Sequence, residues 1–245
     1  MKKHDEFGNR MKTYEYAYRT YLPKRLPVLL RIDGCHFHSY TKKLHKPFDE
    51  RLVQAFWETG KFLASELMGC KIIYHQSDEI SILLTNNDKL TTEAWFDNNI
   101  QKVASVSASL ATAKFNEVIK RDLPDTKLAT FDCRVWVLPP DEVVNYFLWR
   151  QLDATKNSIS MVAQSYFSAK QLHGLSGKQM QEKLLIEKNV NWNELPIWQR
   201  RGVCITKRTY LKDTVERHRW DVDMEIPIFS QDRAYIEQYV YPNDK

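Results

Sequence analysis

The sequence predicts an α+β fold in which two helices lie on one face of an antiparallel sheet, and three observations carry that prediction. Short β-type apolar runs bounded by turn residues recur through the first 138 residues, two helical segments with a single apolar stripe fall between them, and the order is strand, helix, strand, strand, helix, strand. With 245 residues, of which 43% are hydrophobic and 27% charged, the chain has the length and composition to bury a core. It carries no repeat period and no low-complexity tract.

Val28 to Ile32 reads as a buried strand that ends at Asp33-Gly34. Asp49 to Leu67 reads as a helix with Leu52, Phe56, Leu63 and Leu67 on one stripe, ended by Gly69. Ile72-Ile73-Tyr74 and Ile80 to Leu84 read as two short strands joined through Gln76-Ser77-Asp78. A long helix is expected from Thr92 to Ile119, with Val103, Val106 and Leu110 on one side, stopped by Lys120-Arg121-Asp122-Leu123-Pro124. Phe131 to Leu138 reads as a fourth strand before Pro139-Pro140, which completes the ferredoxin-like split arrangement. Beyond it, helices are expected over Asp141 to Leu152, over Thr155 to Gln171, and from Ser176, which has Gln179 three residues on in capping-box spacing. Strands are expected at Gly202 to Thr206 and Trp220 to Phe229. The division is then a first unit over 1–138 and a helical and β extension over 139–245 packed on it as one integrated body.

The formal charge of +5 is compatible with a polyanionic partner without requiring one. Its distribution is more informative, because Arg200-Arg201, Lys207-Arg208 and Arg217-His218-Arg219 gather in the final quarter. A solvated surface is the alternative. Cys35, Cys70, Cys133 and Cys204 form no CxxC pair and no zinc spacing, so a reduced, cytoplasmic protein is the simplest reading. The charged start, Met1 to Glu6, is followed by no apolar stretch, and the uncharged run Val103 to Ala113 is too short to span a bilayer. Neither export nor membrane insertion is expected.

The chemistry lies at two turns. If the strands pair in one sheet, Asp33 and Asp78-Glu79 crowd one edge, where bare carboxylates repel unless a cation lies between them. Taken singly, Asp33 reads equally as a turn residue and Asp78-Glu79 as a solvated hairpin tip. Oxygen-only ligands favour Mg²⁺ or Mn²⁺ over zinc, and two such ions about 3.5–4 Å apart serve phosphoryl or nucleotidyl transfer. Gly34 would let the backbone approach a ligand, and the turn Cys35-His36-Phe37 would aim amides at a triphosphate; a tight turn without a ligand fits the same residues. His38 is a catalyst or a structural hydrogen-bonder. Lys46 is a point donor to phosphate or a solvent-facing lysine. Asp49 is placed to cap the first helix, which alone would explain it. Ser77 donates to a phosphate or merely closes its turn.

In order along the chain, Arg31-Ile32-Asp33-Gly34 with Phe37-His38, His45-Lys46-Pro47, Gln76-Ser77-Asp78-Glu79, Phe131-Asp132-Cys133-Arg134-Val135, Trp149-Arg150-Gln151, Asn193-Glu194-Leu195-Pro196 and Arg200-Arg201-Gly202 resemble the tRNA(His) guanylyltransferase family, the 3′-to-5′ polymerases. The resemblance covers roughly Arg25 to Thr206. It implies a polymerase-type palm over the first unit with two Mg²⁺ ions, Asp33 and Asp78 as metal-bridging carboxylates, the Gly34 carbonyl as a further ligand and Glu79 as a supporting acid. It places His38, Lys46, Asp49 and Ser77 near the activating nucleotide and its triphosphate. It implies ATP, or GTP, as the activator of a tRNA 5′-monophosphate, whose activated end is then attacked by the 3′-hydroxyl of an incoming nucleoside triphosphate. Relatives assemble as tetramers, so a homotetramer, a dimer of dimers, is expected.

Two departures refine this. Cys35 stands where relatives often carry Arg, which removes a guanidinium from that turn. Thr155-Lys156-Asn157-Ser158 replaces the His-Ile-Asn-Asn type of segment of the eukaryotic enzymes and resembles the bacterial and archaeal guanylyltransferase-like proteins, which implies templated repair of 5′-truncated tRNA over obligate G addition to tRNA(His). Asn157 and Ser158 would then sit near the substrate, or be simply solvated. Arg134 is a phosphate contact or a cross-strand ion pair. Arg150, Arg200 and Lys207 are candidate tRNA contacts, while Trp149 and Trp198 are expected in the core. Two rivals remain: a palm-type cyclase making a cyclic nucleotide, and a non-catalytic ferredoxin-like RNA-binding module, which would need neither Asp33 nor Asp78.

Overall fold

The computed structural model describes residues 5–213 and 215–241. A first helix, α1 (Glu6–Tyr16), precedes β1 (Val28–Gly34), α2 (Glu50–Glu66), β2 (Cys70–Gln76), β3 (Glu79–Leu84), α3 (Ile100–Asp122) and β4 (Phe131–Val137). Then follow α4 (Pro140–Tyr166), α5 (Gly177–Lys188), β5 (Val203–Lys212), β6 (Val215–Asp223) and α6 (Ala234–Val240). The strands form one antiparallel sheet in the order β4-β1-β3-β2-β5-β6, and its first four strands with α2 and α3 are the expected ferredoxin-like unit.

The alternation of side chains along a strand explains the apolar runs. Val28, Leu30 and Ile32 join Ile73, Ile80, Ile82 and Leu84 on one face, beneath Phe56 and Leu63 of α2 and Val103 and Phe115 of α3. Leu29, Ile72, Tyr74, Leu83 and Cys204 point to the other face, where Val143 and Phe147 of α4 and Ile236 and Val240 of α6 cover them. The central strands are apolar at nearly every position because both faces are buried, each side chain contributing about 1.5–3 kcal/mol. The unit's own two helices therefore share one face as expected, and the C-terminal extension supplies the second layer.

Several boundaries differ from expectation. The two helices expected over Asp141 to Leu152 and Thr155 to Gln171 are one, because the polar Asp153-Ala154-Thr155 stretch stays helical: Asp153 accepts from Arg150 at 2.6 Å and Thr155 Oγ1 donates to the Gln151 carbonyl at 3.0 Å. The helix expected from Thr92 begins at Ile100, since Phe96, Asp97 and Asn98 adopt left-handed backbone and Asn99 caps the helix by accepting from the Lys102 N–H at 3.0 Å. Strands β5 and β6 run further into each other than expected, to Lys212 and from Val215, forming a hairpin arm; Phe229 leaves the sheet and packs its ring on Tyr74. Helices α1 and α6 have no counterpart among the expected elements. Among the described residues, no helix is long and apolar enough to cross a membrane.

Candidate active site

Sheet register gathers the acidic residues. Asp33 pairs with Glu79 on β3 and Asp132 on β4, and Glu79 pairs with Gln76 on β2. The β2-β3 turn carries Asp78 to the same end, tied down by the Gly34 N–H donating to the Asp78 carbonyl at 3.1 Å. Ser77, at φ 52°, closes this turn, its Oγ donating to Asp78 at 3.0 Å. Beneath it the buried His75 stacks on Phe56 and its Nε2 lies 3.1 Å from the Ser77 carbonyl. Burial holds His75 neutral, its pKa lowered to about 4.

The structure brings Asp33, Asp78 and Glu79 together. The Asp78 carboxyl is pushed up, mainly by burial and further by the nearby Asp33 charge. The Glu79 carboxyl is also raised by burial, against the pull of Arg150 and Arg31. Arg134 forms a cross-strand ion pair with Asp33 at 3.5 Å and a second pair, along its own strand, with Asp132 at 3.4 Å. Among the described residues, no group of three or more His, Cys, Asp or Glu side chains converges as a metal cage. Of the carboxylates at this edge, Asp33 and Asp78 with nearby backbone carbonyls make an oxygen-only donor set, which suits a hard cation that completes its shell with water and phosphate oxygens, as Mg²⁺ does. Asp33 and Asp78, with the Gly34 carbonyl, would hold it.

Beside this edge opens a cavity of about 480 Å³ between α2, α4 and the loop before α2. One wall is apolar and aromatic: Phe48 and Trp57 each meet Trp198 edge-on, at 5.7 and 5.8 Å, with Leu52, Val53 and Met161 around them. His38, Lys46, Ser77 and Asp78 form a polar margin, and Asn157 lies on the α4 side. That pairing of an apolar slot with a polar mouth suits a nucleotide, base inward and phosphates toward the acidic edge.

Several candidate site residues are taken up by the scaffold, Asp49 as the cap its position suggests. Asp49 caps α2 and binds Arg51 through both oxygens, and that guanidinium holds its carboxyl down to about 2. The Cys35 N–H is spent on the Thr130 carbonyl at 2.8 Å, so it does not face a ligand, and His36 adopts left-handed backbone ahead of a single helical turn, Phe37–Tyr40. Phe37 packs in the core among Tyr40, Phe56, Phe115 and Phe131. A Cβ on Gly34 would lie 2.2 Å from that ring, so glycine is required there by packing.

Arg150 is buried, 5% exposed, and ion-paired to Glu79 and Asp153. Ser158 is buried and accepts from Trp192 Nε1 at 3.0 Å. Trp149, expected in the core, is 51% exposed because its indole lies outside the Arg150 guanidinium, at 3.9 Å. Trp198 is partly buried on the cavity wall. Arg200 is partly exposed near Trp192, and Lys207 stands exposed on the hairpin arm. Asp132, Trp57, His75, Ser81 and Tyr146 also belong to this region, and of them only Asp132 carries a sequence signal, as part of the Phe131 to Val135 motif.

A ferredoxin-like sheet with an acidic edge beside such a cavity is the arrangement a palm-type nucleotidyltransferase needs. Residues 8–139 match the family model for tRNAHis guanylyltransferase. Over 97% of its length the chain is 64% identical to the whole of a bacterial tRNA(His) guanylyltransferase (Thg1)-like protein solved in complex with ATP, with a TM-score of 0.92. For a bacterial Thg1-like protein in complex with GTP the values are 59% identity and a TM-score of 0.84, over 97% of this chain and 100% of that one. The human probable tRNA(His) guanylyltransferase is 30% identical over 215 residues, 77% of this chain and 70% of the human protein. The chain belongs to the tRNA(His) guanylyltransferase family, and it is a 3′-to-5′ nucleotidyltransferase of tRNA 5′ ends.

Proposed function

We propose that this enzyme uses ATP, or GTP, to activate the 5′-monophosphate of a truncated tRNA and then rebuilds the missing 5′ nucleotides against the opposite strand. The observation that carries this is the Asp33–Asp78 edge beside the cavity, with Asp78 in its lining and Asn157 on the α4 side. The likeness to a protein solved with ATP supports the nucleotide assignment.

The activating base enters between Phe48, Trp57 and Trp198, and Lys46, His38 and Ser77 at the mouth receive its phosphates. An oxygen of the RNA 5′-phosphate attacks the α-phosphorus; a 5′-5′ pyrophosphate bond forms and inorganic pyrophosphate leaves. The 3′-hydroxyl of the incoming nucleotide then attacks the RNA 5′ phosphorus, giving up its proton to solvent as the nucleoside monophosphate leaves. Asp33 and Asp78 would hold Mg²⁺ or Mn²⁺, which when bound would supply charge neutralisation for both transfers. The fold's contribution is placement: register fixes Asp33, and the His75-supported turn fixes Asp78.

The exposed arm, with Lys207 at its base, and Arg200 receive tRNA phosphates. Helix α1 has no buried residue and leaves Phe7 and Tyr14 each 66% exposed, which supports assembly of the chain into a homotetramer, a dimer of dimers. The experiment offers labelled 5′-monophosphorylated tRNA(His), full length and lacking its first nucleotide, with ATP and each nucleotide singly. Extension of the shortened RNA by the templated nucleotide is expected; G added only to the full-length RNA would overturn the repair assignment. Light scattering of the free protein checks the tetramer.

A further inference from the structure

Glu79 sits beside the two aspartates, yet its carboxylate is already engaged at both ends. Arg150 Nη1 donates to Oε2 at 2.9 Å, and Ser81 Oγ donates to Oε1 at 3.1 Å. Ser81 Oγ is in turn 2.7 Å from the Tyr146 hydroxyl, and Arg150 Nη2 reaches Asp153 at 2.6 Å. Arg150, Tyr146 and Asp153 all belong to α4, whereas Glu79 and Ser81 belong to β3. The cluster therefore ties α4 to the strand position that pairs with Asp33 and directly follows Asp78.

The same helix face continues into the cavity. At about 100° per residue, Asn157, Met161 and Gln164 project on the side of α4 that carries Arg150, and all three line the cavity. A buried guanidinium held between two carboxylates leaves an uncompensated charge if one partner is removed. Trp149 lies against the Arg150 guanidinium and shields it from solvent.

We propose that Arg150 and Glu79 are a positioning pair, a buried strut that sets the spacing between the acidic edge and the α4 face walling the nucleotide cavity, and that neither touches RNA, metal or reacting phosphate. This rests on the function proposed above. It displaces two other assignments, Glu79 as an acid or ligand at the metal edge and Arg150 as a tRNA phosphate contact.

The test uses the full chain with Glu79→Gln, Arg150→Met, the double variant and Arg150→Lys. Three quantities are read: the melting shift produced by ATP across a Mg²⁺ titration, turnover on truncated 5′-monophosphorylated tRNA, and tRNA affinity across salt. Arg150→Met is expected to lower turnover about a hundredfold while tRNA affinity and its salt dependence stay within about twofold. The double variant is expected to recover at least about tenfold over Arg150→Met, because no carboxylate is left facing an apolar side chain. The Mg²⁺ needed for half the ATP-induced melting shift is expected to stay within about twofold in Glu79→Gln.

A rise of about tenfold in that Mg²⁺ requirement would make Glu79 a ligand and overturn the strut. So would a double variant no better than Arg150→Met, or an Arg150→Met that turns over normally but binds tRNA more weakly with a flatter salt dependence. If Arg150→Met does not fold, Arg150→Lys, which keeps one of the two ion pairs, reads the same quantities. A wild-type protein that adds no nucleotide defeats the proposed function, while the melting shifts still decide between strut and ligand.

Discussion

The acidic end of the palm and the β5-β6 arm are both antiparallel hairpin structure, yet they hold charge in opposite ways. At the acidic end Glu79 is fixed by Arg150 and Asp33 by Arg134, each from another element, and the Asp78 turn is held through its backbone by Gly34 and His75. On the arm, Lys207, Arg208, Lys212, Arg217 and Arg219 are exposed and supported only by one another's strands. Chemistry needs groups held to fractions of an ångström, and affinity for a polyanion needs only charge within reach. The two regions should therefore fail differently when altered.

The largest expected effect is at Asp33. Asp33→Ala and Asp78→Ala should fold and melt close to wild type yet lose on the order of 4 kcal/mol of transition-state stabilisation, about a thousandfold in kcat/KM, because charge neutralisation at the phosphate is gone. Single-turnover nucleotide addition at saturating Mg²⁺ measures this. An Asp33→Ala protein with wild-type turnover would erase the contrast between the two regions.

His75 sharpens the same contrast through stability. Its folded pKa of about 4 lies below the ordinary 6.5, so between those values the unfolded chain binds a proton that the folded one refuses. The stability it contributes is complete above about pH 6.5 and is lost as pH falls through about 4, amounting to about 2 kcal/mol at pH 5 and about 3 when fully lost. Urea midpoints of wild type and His75→Gln, compared at about pH 7.5 and 5, isolate it: the wild type should lose the extra increment and the variant should not. Equal pH dependence in both would show that His75 is not held neutral beneath the turn.

How much of this was legible in the sequence follows from the range of each interaction. Val28 to Ile32 and Ile80 to Leu84 declared themselves because central strands buried on both faces must be apolar throughout. The Asp49 cap and the Ser176–Gln179 box are local, and the structure contains both. The burial of Arg150 was not legible, since its partner Glu79 is 71 residues away and nothing near Arg150 marks it as inward. The same holds for Trp57, one residue from the core residue Phe56 but turned to the cavity wall. Helix α4 reads as two helices in the sequence because Asp153 and Thr155 interrupt its apolar stripe, and a stripe says nothing of the ion pair that puts Asp153 to use.

A cap tests the boundary between the two modes. Asp49→Ala should cost about 1–2 kcal/mol, since it removes the acceptor for the Arg51 N–H and the partner of the Arg51 side chain. Asp49→Asn should recover most of that, because it caps without charge. The ATP-induced melting shift should survive both, placing Asp49 with the scaffold; its loss in Asp49→Asn would return the residue to the nucleotide.

The smallest expected effect on stability is on the arm, where it is most telling. Arg208 and Arg219 face each other across β5 and β6, and like charges in register repel. Asp221 engages Arg219 at 2.6 Å, while the Arg219 guanidinium lies 5.3 Å from the Tyr210 ring, so the pair is only partly relieved within the chain. Lys207→Gln and Arg208→Gln should therefore change stability by less than about 0.5 kcal/mol and leave single-turnover nucleotide addition at saturating RNA near wild type, unlike Asp33→Ala. Their effect should appear in binding: tRNA affinity falls, and the slope of log affinity against log salt shrinks by about one for each phosphate contact removed. An unchanged slope would mean that the arm's charges never meet the polyanion, and that the placement of RNA depends on the palm alone.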